Sequence, residues 1–212
     1  MAATSKVKIC NLALTLIGAD TINAIDDDST PAKKCNAIYD YILEDLLTSC
    51  PWTFAQKRVA LALLDEDPVY TDDGVAYVYQ KPTDCLKVNF TNVENALVKI
   101  EGDKILSDTA SLYIMYTYNV TDPTKYTPKF TTALAGRLAA ELAFPITNSR
   151  TLAADLMNVY LNEKLPDAVA SDSQQGTPLA PAQDEWLFSR MHSSSAISGR
   201  TTWDTWYPCC CY

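Results

Sequence analysis

The chain has 212 residues, 48% of them hydrophobic and 20% charged, which is ordinary for a soluble globular protein of one generous domain, or a domain with an appended arm. Its 26 acidic residues outnumber 17 basic ones, and the net charge of -9 argues against a nucleic-acid clamp, which would carry a basic stripe. It leaves room for a protein that surrounds DNA without gripping it, because an acidic wall repels phosphates.

The first predicted helix covers 5–18: Ser5 is its cap, Val7, Leu12, Ala13, Leu14, Leu16 and Ile17 make it apolar, and Gly18 fits the stop. Asp26-Asp27-Asp28-Ser29-Thr30-Pro31 announces a second helix over 30–49, with Ser29 or Thr30 as cap and Pro31 in the first turn. Along it Cys35, Ile38, Tyr39, Ile42 and Leu46 share one face, and Pro51 ends it. The period then changes to two. Val59, Leu61 and Leu63 alternate with smaller or polar neighbours, as do Val75, Tyr77 and Tyr79. Val88 and Phe90 form a shorter pair, and Leu97 to Lys104 reads as a hairpin around Glu101-Gly102-Asp103. Leu112, Ile114, Tyr116 and Tyr118 make the clearest strand. Asp67-Pro68, Asp72-Asp73-Gly74 and Lys81-Pro82-Thr83-Asp84 supply turns.

Helical spacing returns at Thr127-Pro128. Phe130, Leu134, Leu138 and Leu142 form a stripe over 128–144 that Pro145 is expected to close. A fourth helix over 149–165 carries Leu152, Leu156, Val159 and Tyr160, with Pro166 kinking or ending it. The predicted fold class is therefore α+β: a bundle of about four helices with an antiparallel sheet inserted at about 57–120, together a domain over 1–170.

From 171 to 212 the regular patterns stop, and a polar segment carries Trp186, Leu187, Phe188, Trp203, Trp206 and Tyr207, followed by Cys209-Cys210-Cys211. A permanently disordered tail would be poor in aromatics. These residues instead suggest an extended arm that orders on a partner, with the aromatics as anchors. Docking back on the same subunit is the plainer alternative.

A catalytic constellation is hard to assemble. The one histidine, His192, sits in the arm, a poor platform for a positioned base. Asp26, Asp27 and Asp28 lack calcium-loop spacing and read more simply as complements to a helix dipole. The glycines are too scattered for a phosphate cradle. Cys10, Cys35, Cys50 and Cys85 show neither zinc nor disulfide spacing, and Cys10 and Cys35 read as small core residues, which favours synthesis in a reducing cytoplasm. Three adjacent cysteines cannot easily close one tetrahedral metal site, so the terminal triplet reads as a tail end with no specific chemistry, with oxidation between chains or burial against a partner as the alternatives. No cofactor is expected. Nor is a membrane span, since no run of about 18 apolar residues occurs. Trp52 and Phe54, at a helix-to-strand corner, read as plugs between bundle and sheet.

Several motifs carry a family resemblance. Ile9-Cys10-Asn11-Leu12-Ala13-Leu14 with Leu16-Ile17-Gly18-Ala19, the acidic turn 26–29, and Cys35-Asn36 with Tyr39-Asp40 form the first group. Pro51-Trp52-Thr53-Phe54-Ala55-Gln56-Lys57-Arg58 and Tyr77-Val78-Tyr79-Gln80-Lys81-Pro82-Thr83-Asp84-Cys85-Leu86-Lys87-Val88 form the second. Together, over about 5–165, they resemble the head-to-tail adaptors (connectors) of tailed bacteriophages, of the tail tubular protein A type. The resemblance implies a non-enzymatic virion protein at the head-tail junction, made in the host cytoplasm. It implies a homo-oligomeric ring, of twelve subunits by family analogy, between the portal protein and the tail nozzle or tube protein. Genomic DNA would pass through the channel without sequence-specific binding. On this chain the arm becomes the portal-binding element and the sheet between Val59 and Val120 the contact with the tail. The alternatives are a non-phage scaffold or binding module of the same build, or a small thiol-dependent enzyme using His192 and a cysteine.

Overall fold

A computed structural model describes residues 4–66, 68, 74–92 and 97–175. The fold is α+β, with helices α1 (Lys6–Leu16), α2 (Thr30–Ser49), α3 (Pro128–Thr147), α4 (Arg150–Val159) and α5 (Leu165–Ser173) and, among the described residues, six strands inserted between α2 and α3. Among the described residues no helix is long and apolar enough to cross a membrane.

Each of α1 to α4 starts where a side-chain oxygen replaces a missing backbone partner. Ser5 accepts from Lys8 N–H, Ser29 from Ala32, Thr127 from Phe130 and Ser149 from Leu152. Gly18 ends α1 at φ 71°, a left-handed conformation in which its N–H reaches the Thr15 carbonyl and that of Ala19 the Leu14 carbonyl. Asn11 then pins the loop, its amide donating to the Ile22 carbonyl and accepting from the Ile22 N–H, both at 2.8 Å.

The central helix is α3. Phe130, Leu134, Leu138 and Leu142 are buried, and so are Ala133, Ala135, Ala139, Ala140 and Ala143 on its other sides. A helix with small residues opposite a leucine stripe lets neighbours approach from several directions, and α1, α2, α4 and α5 all pack on it. The helix does not close at Pro145. It continues to Thr147, where Asn148 in the left-handed region caps it and Ile146 packs on the core.

Pro166 likewise does not end the helical run. A π-helical turn over Tyr160–Lys164 joins α4 to α5, widening the backbone just before the proline ring that would clash with a regular turn. The predicted end at 165 and the predicted arm start at Ser171 are both corrected by this: Leu165, Ala168, Val169 and Asp172 continue one face of the helix through Ser173.

The inserted strands are β1 (Gln56–Ala60), β2 (Tyr77–Gln80), β3 (Cys85–Thr91), β4 (Val98–Glu101), β5 (Lys104–Ser107) and β6 (Tyr113–Tyr118). All pairings are antiparallel, and the strands divide into two three-stranded sheets ordered β1-β6-β3 and β2-β5-β4. The division follows from the chain after β1. Leu61 N–H still donates to Leu112 beside β6, but Leu64 N–H donates to Val78 and Ala62 accepts from Gln80. One extended segment thus crosses from the first sheet to the outer edge of the second. Between the sheets lies a small core of Tyr79, Cys85, Ile105, Leu112, Ile114 and Tyr116. The expected short pair at Val88 and Phe90 belongs to the longest strand, β3, whose register slips between Cys85 and Lys87 and again between Val88 and Phe90. Those bulges break the alternation by which a strand is recognised.

Candidate partner-binding surface

The last described residues sit against the helix-to-strand corner at Pro51 to Ala55. Trp52 is 1% exposed, with its indole N–H on the Leu46 carbonyl at 2.8 Å and Phe130 edge-on at 4.9 Å. Phe54 packs on Phe130 at 4.8 Å and on Tyr126 at 5.9 Å. Tyr126 donates its hydroxyl to the Val120 carbonyl, and burial holds that phenol well above its usual range. The corner is thus a plug of rings between bundle and sheet, as the sequence predicts.

Thr53 stands on this plug and holds α5. Its backbone N–H donates to Asp172 Oδ2 at 2.9 Å and its hydroxyl to Asp172 Oδ1 at 2.8 Å. Gln175 Oε1 lies 3.5 Å from the same hydroxyl. Asp172 is buried, and a buried carboxylate needs such donors. The chain therefore leaves α5 from a fastened point. The sequence reading placed Asp172 in the arm and missed this role. The signal was the i, i+3, i+4, i+7 spacing of Leu165, Ala168, Val169 and Asp172.

A second tie runs along the outer side of α3. Arg137 pairs with Glu141 at 3.1 Å, and its guanidinium lies 5.7 Å from the ring centre of buried Tyr160. Lys129 pairs with Asp167 at 2.5 Å, and the stem of Lys164 lies over Gly136, where a Cβ would come within 2.6 Å of it. The contacts from Tyr160, Lys164 and Asp167 hold this run antiparallel to α3.

On the sheet side, Lys57 Nζ meets Asp84 Oδ2 at 2.6 Å and lies 3.9 Å from the ring centre of Tyr118, while Tyr116 donates its hydroxyl to Asp84 Oδ1 at 2.9 Å. The Lys57 hydrogen bond outweighs partial burial and holds the Asp84 carboxyl below its usual range, and burial with the adjoining carboxylate pushes Tyr116 up to about 12. A depressed carboxyl stabilises the fold above its unfolded pKa and loses that contribution as pH falls through its folded value. Asp84→Asn is accordingly expected to cost about 0.5–1 kcal/mol at neutral pH, since both side chains are more than a third exposed, and to flatten the acid limb of stability. Urea titrations at pH 7 and pH 3 check this: a cost that persists undiminished at pH 3 would refute it.

Other sequence candidates have local roles or fall elsewhere. Asp27 accepts from the N–H groups of Asn23 and Ala24, and Asp28 pairs with Lys33, while none of the three aspartates lies in the first turn of α2. Cys10, Cys35, Cys50 and Cys85 are buried free thiols. Contact with Cys35, together with burial, holds the Cys10 thiol above its usual range. Among the described residues no three His, Cys, Asp or Glu side chains gather to hold a metal ion. Trp186, Leu187, Phe188, Trp203, Trp206 and Tyr207 lie outside the described residues, as do His192 and the terminal cysteines. No protein-family model matches the chain, and no curated protein matches it either.

Proposed function

We propose that this chain is a structural adaptor of a bacteriophage virion, forming a ring that joins the portal to the tail and surrounds the DNA exit channel. The motif resemblance supplies the family. The observation that carries the reading beyond resemblance is the Thr53–Asp172 clasp, which presents the start of an aromatic-bearing segment from a fixed point on the bundle. Fixing the root shrinks the volume the segment must search, so each subunit's contact forms at high effective concentration once one has formed. Heterologous contacts between identical subunits close into rings when the rotation permits, and the exposed Leu63 and Ile100, which flank buried Tyr79 and Ile105 at the two edges of the second sheet, are left for a tail component.

The test is native mass, with the protein alone and mixed with the portal protein of the same genome. Truncation belongs after Gln175, since a cut at Ser171 would also remove Asp172. The expected result is a defined portal-plus-adaptor complex with the full chain and none with the truncated one. An absence of association at every salt concentration would overturn the proposal.

A further inference from the structure

Among the described residues the first sheet ends in an open edge. β1 pairs with β6 on one side only, and four of its five residues are exposed. Because Leu61 N–H points inward to Leu112, the antiparallel alternation turns the N–H and C=O groups of Gln56, Arg58 and Ala60 outward. Such an edge is a template for a further strand, and proteins commonly cover it.

The two faces beside the edge differ. On one, Lys57 and Val59 border Tyr116 and Ile114 of the inter-sheet core, and Val59 is still 36% exposed. On the other, Arg58 neighbours Met115, with half-buried Phe90 beyond and Tyr113 51% exposed. Arg58 makes no ion pair among the described residues. An occupant that suits both faces begins acidic, to meet Arg58 and to lie beside a Lys57 that already pairs with Asp84, and continues apolar at every position.

We infer that the open edge of β1 is a strand-docking site, and that in the free protein its occupant is Asp184-Glu185-Trp186-Leu187-Phe188 of the same chain. This inference stands apart from the adaptor reading and would hold for any partner of the arm. The Thr53–Asp172 clasp brings α5 to within three residues of the start of β1. The eight residues from Gly176 to Gln183 span up to about 28 Å, against about 17 Å for the length of β1, so the segment reaches its own edge. A parallel register places Glu185 by Lys57 and Leu187 by Val59 on one face. On the other it places Trp186 beside Arg58, with Asp184 by Gln56 one pair along and Phe188 by Ala60, covering Met115 and Tyr113. Main-chain hydrogen bonds supply the attachment, and the charge order sets the register.

The test is amide exchange at Arg58 and Ala60, followed by NMR in the full chain and in its Trp186→Ser/Phe188→Ser variant, with Ala60→Pro as a second variant that removes one outward donor. The expected result is protection that falls at least about tenfold in both variants at the remaining outward amides, with the native mass of one chain and no change on dilution. Equal, fast exchange in all three proteins would overturn the inference. Protection that disappears on dilution would overturn it too, by assigning the edge to a second copy.

Discussion

Trp52→Ala is expected to lower the unfolding free energy by about 4 kcal/mol, the range for deleting a large aromatic from a packed core. The side chain is almost wholly enclosed, edge-on to Phe130, with Phe54 packed against the same Phe130 ring. Truncation would open a cavity where α2 ends, α3 begins and the sheet departs, so the loss cannot be recovered by collapse of one element. It also removes the indole N–H from the Leu46 carbonyl in the last turn of α2, which accepts from the Ser49 hydroxyl as well. Trp52→Phe separates the two effects, since it keeps most of the ring and loses the donor, at about 1–2 kcal/mol. Against a total stability of about 5–15 kcal/mol the alanine variant would be close to unfolding. Urea denaturation monitored by far-UV circular dichroism measures both. A loss below about 1.5 kcal/mol for the alanine variant would show that bundle and sheet are not joined through this corner.

That corner was legible in the sequence because it combines local signals: a proline ending α2, then aromatics before an alternating run. The helices α2 and α3 were legible for the same reason, as Cys35, Tyr39, Ile42 and Leu46, and Phe130 to Leu142, repeat at helical spacing and are all buried. Proline misled where tertiary contacts prevail. Pro145 lies within α3 because Ile146 beyond it still packs on the core, and Pro166 is accommodated by the π-helical turn before it. Two sheets rather than one could not be read from alternation, which reports which residues share a face and says nothing about which strands pair. The crossing at Leu61 to Leu64 depends on partners more than a dozen residues away. The clasp was hidden for a related reason. Ser171, Asp172, Ser173, Gln174 and Gln175 read as a polar tail, and the burial of Asp172 follows from Thr53, 119 residues earlier. The open edge of β1 is equally a property of pairing. The candidate anchors from Trp186 to Tyr207 lie outside the described residues and rest on sequence alone.

Replacing Asp172 by alanine tests whether that long-range pair fixes the last helix. The carboxylate accepts two hydrogen bonds from Thr53, and its loss leaves a partly buried N–H and hydroxyl without their acceptor. Hydrogen bonds to a charged group are worth about 1.5–3 kcal/mol each, and the two here share one group, so a total of about 2–3 kcal/mol is expected. Much of it should appear as local opening. α5 is short, is tied to α3 chiefly through Lys129–Asp167 and the Ala168 contacts, and follows a π-helical turn, so it can detach before the bundle unfolds. The amides of Ala168 to Ser173 and of Thr53 should therefore exchange at least tenfold faster in Asp172→Ala, while those of α2 and the centre of α3 change little. Asp172→Asn keeps one acceptor oxygen and should fall between. If the effect instead spreads evenly over α2, α3 and α5, the last helix is part of a single cooperative unit and the clasp is no hinge. If α5 alone loosens, the point from which the arm departs moves back to Lys164, which adds nine residues of slack. A partner bound through the arm would then lose the effective concentration that a fixed root provides, and its dissociation should quicken although no residue of the arm has changed.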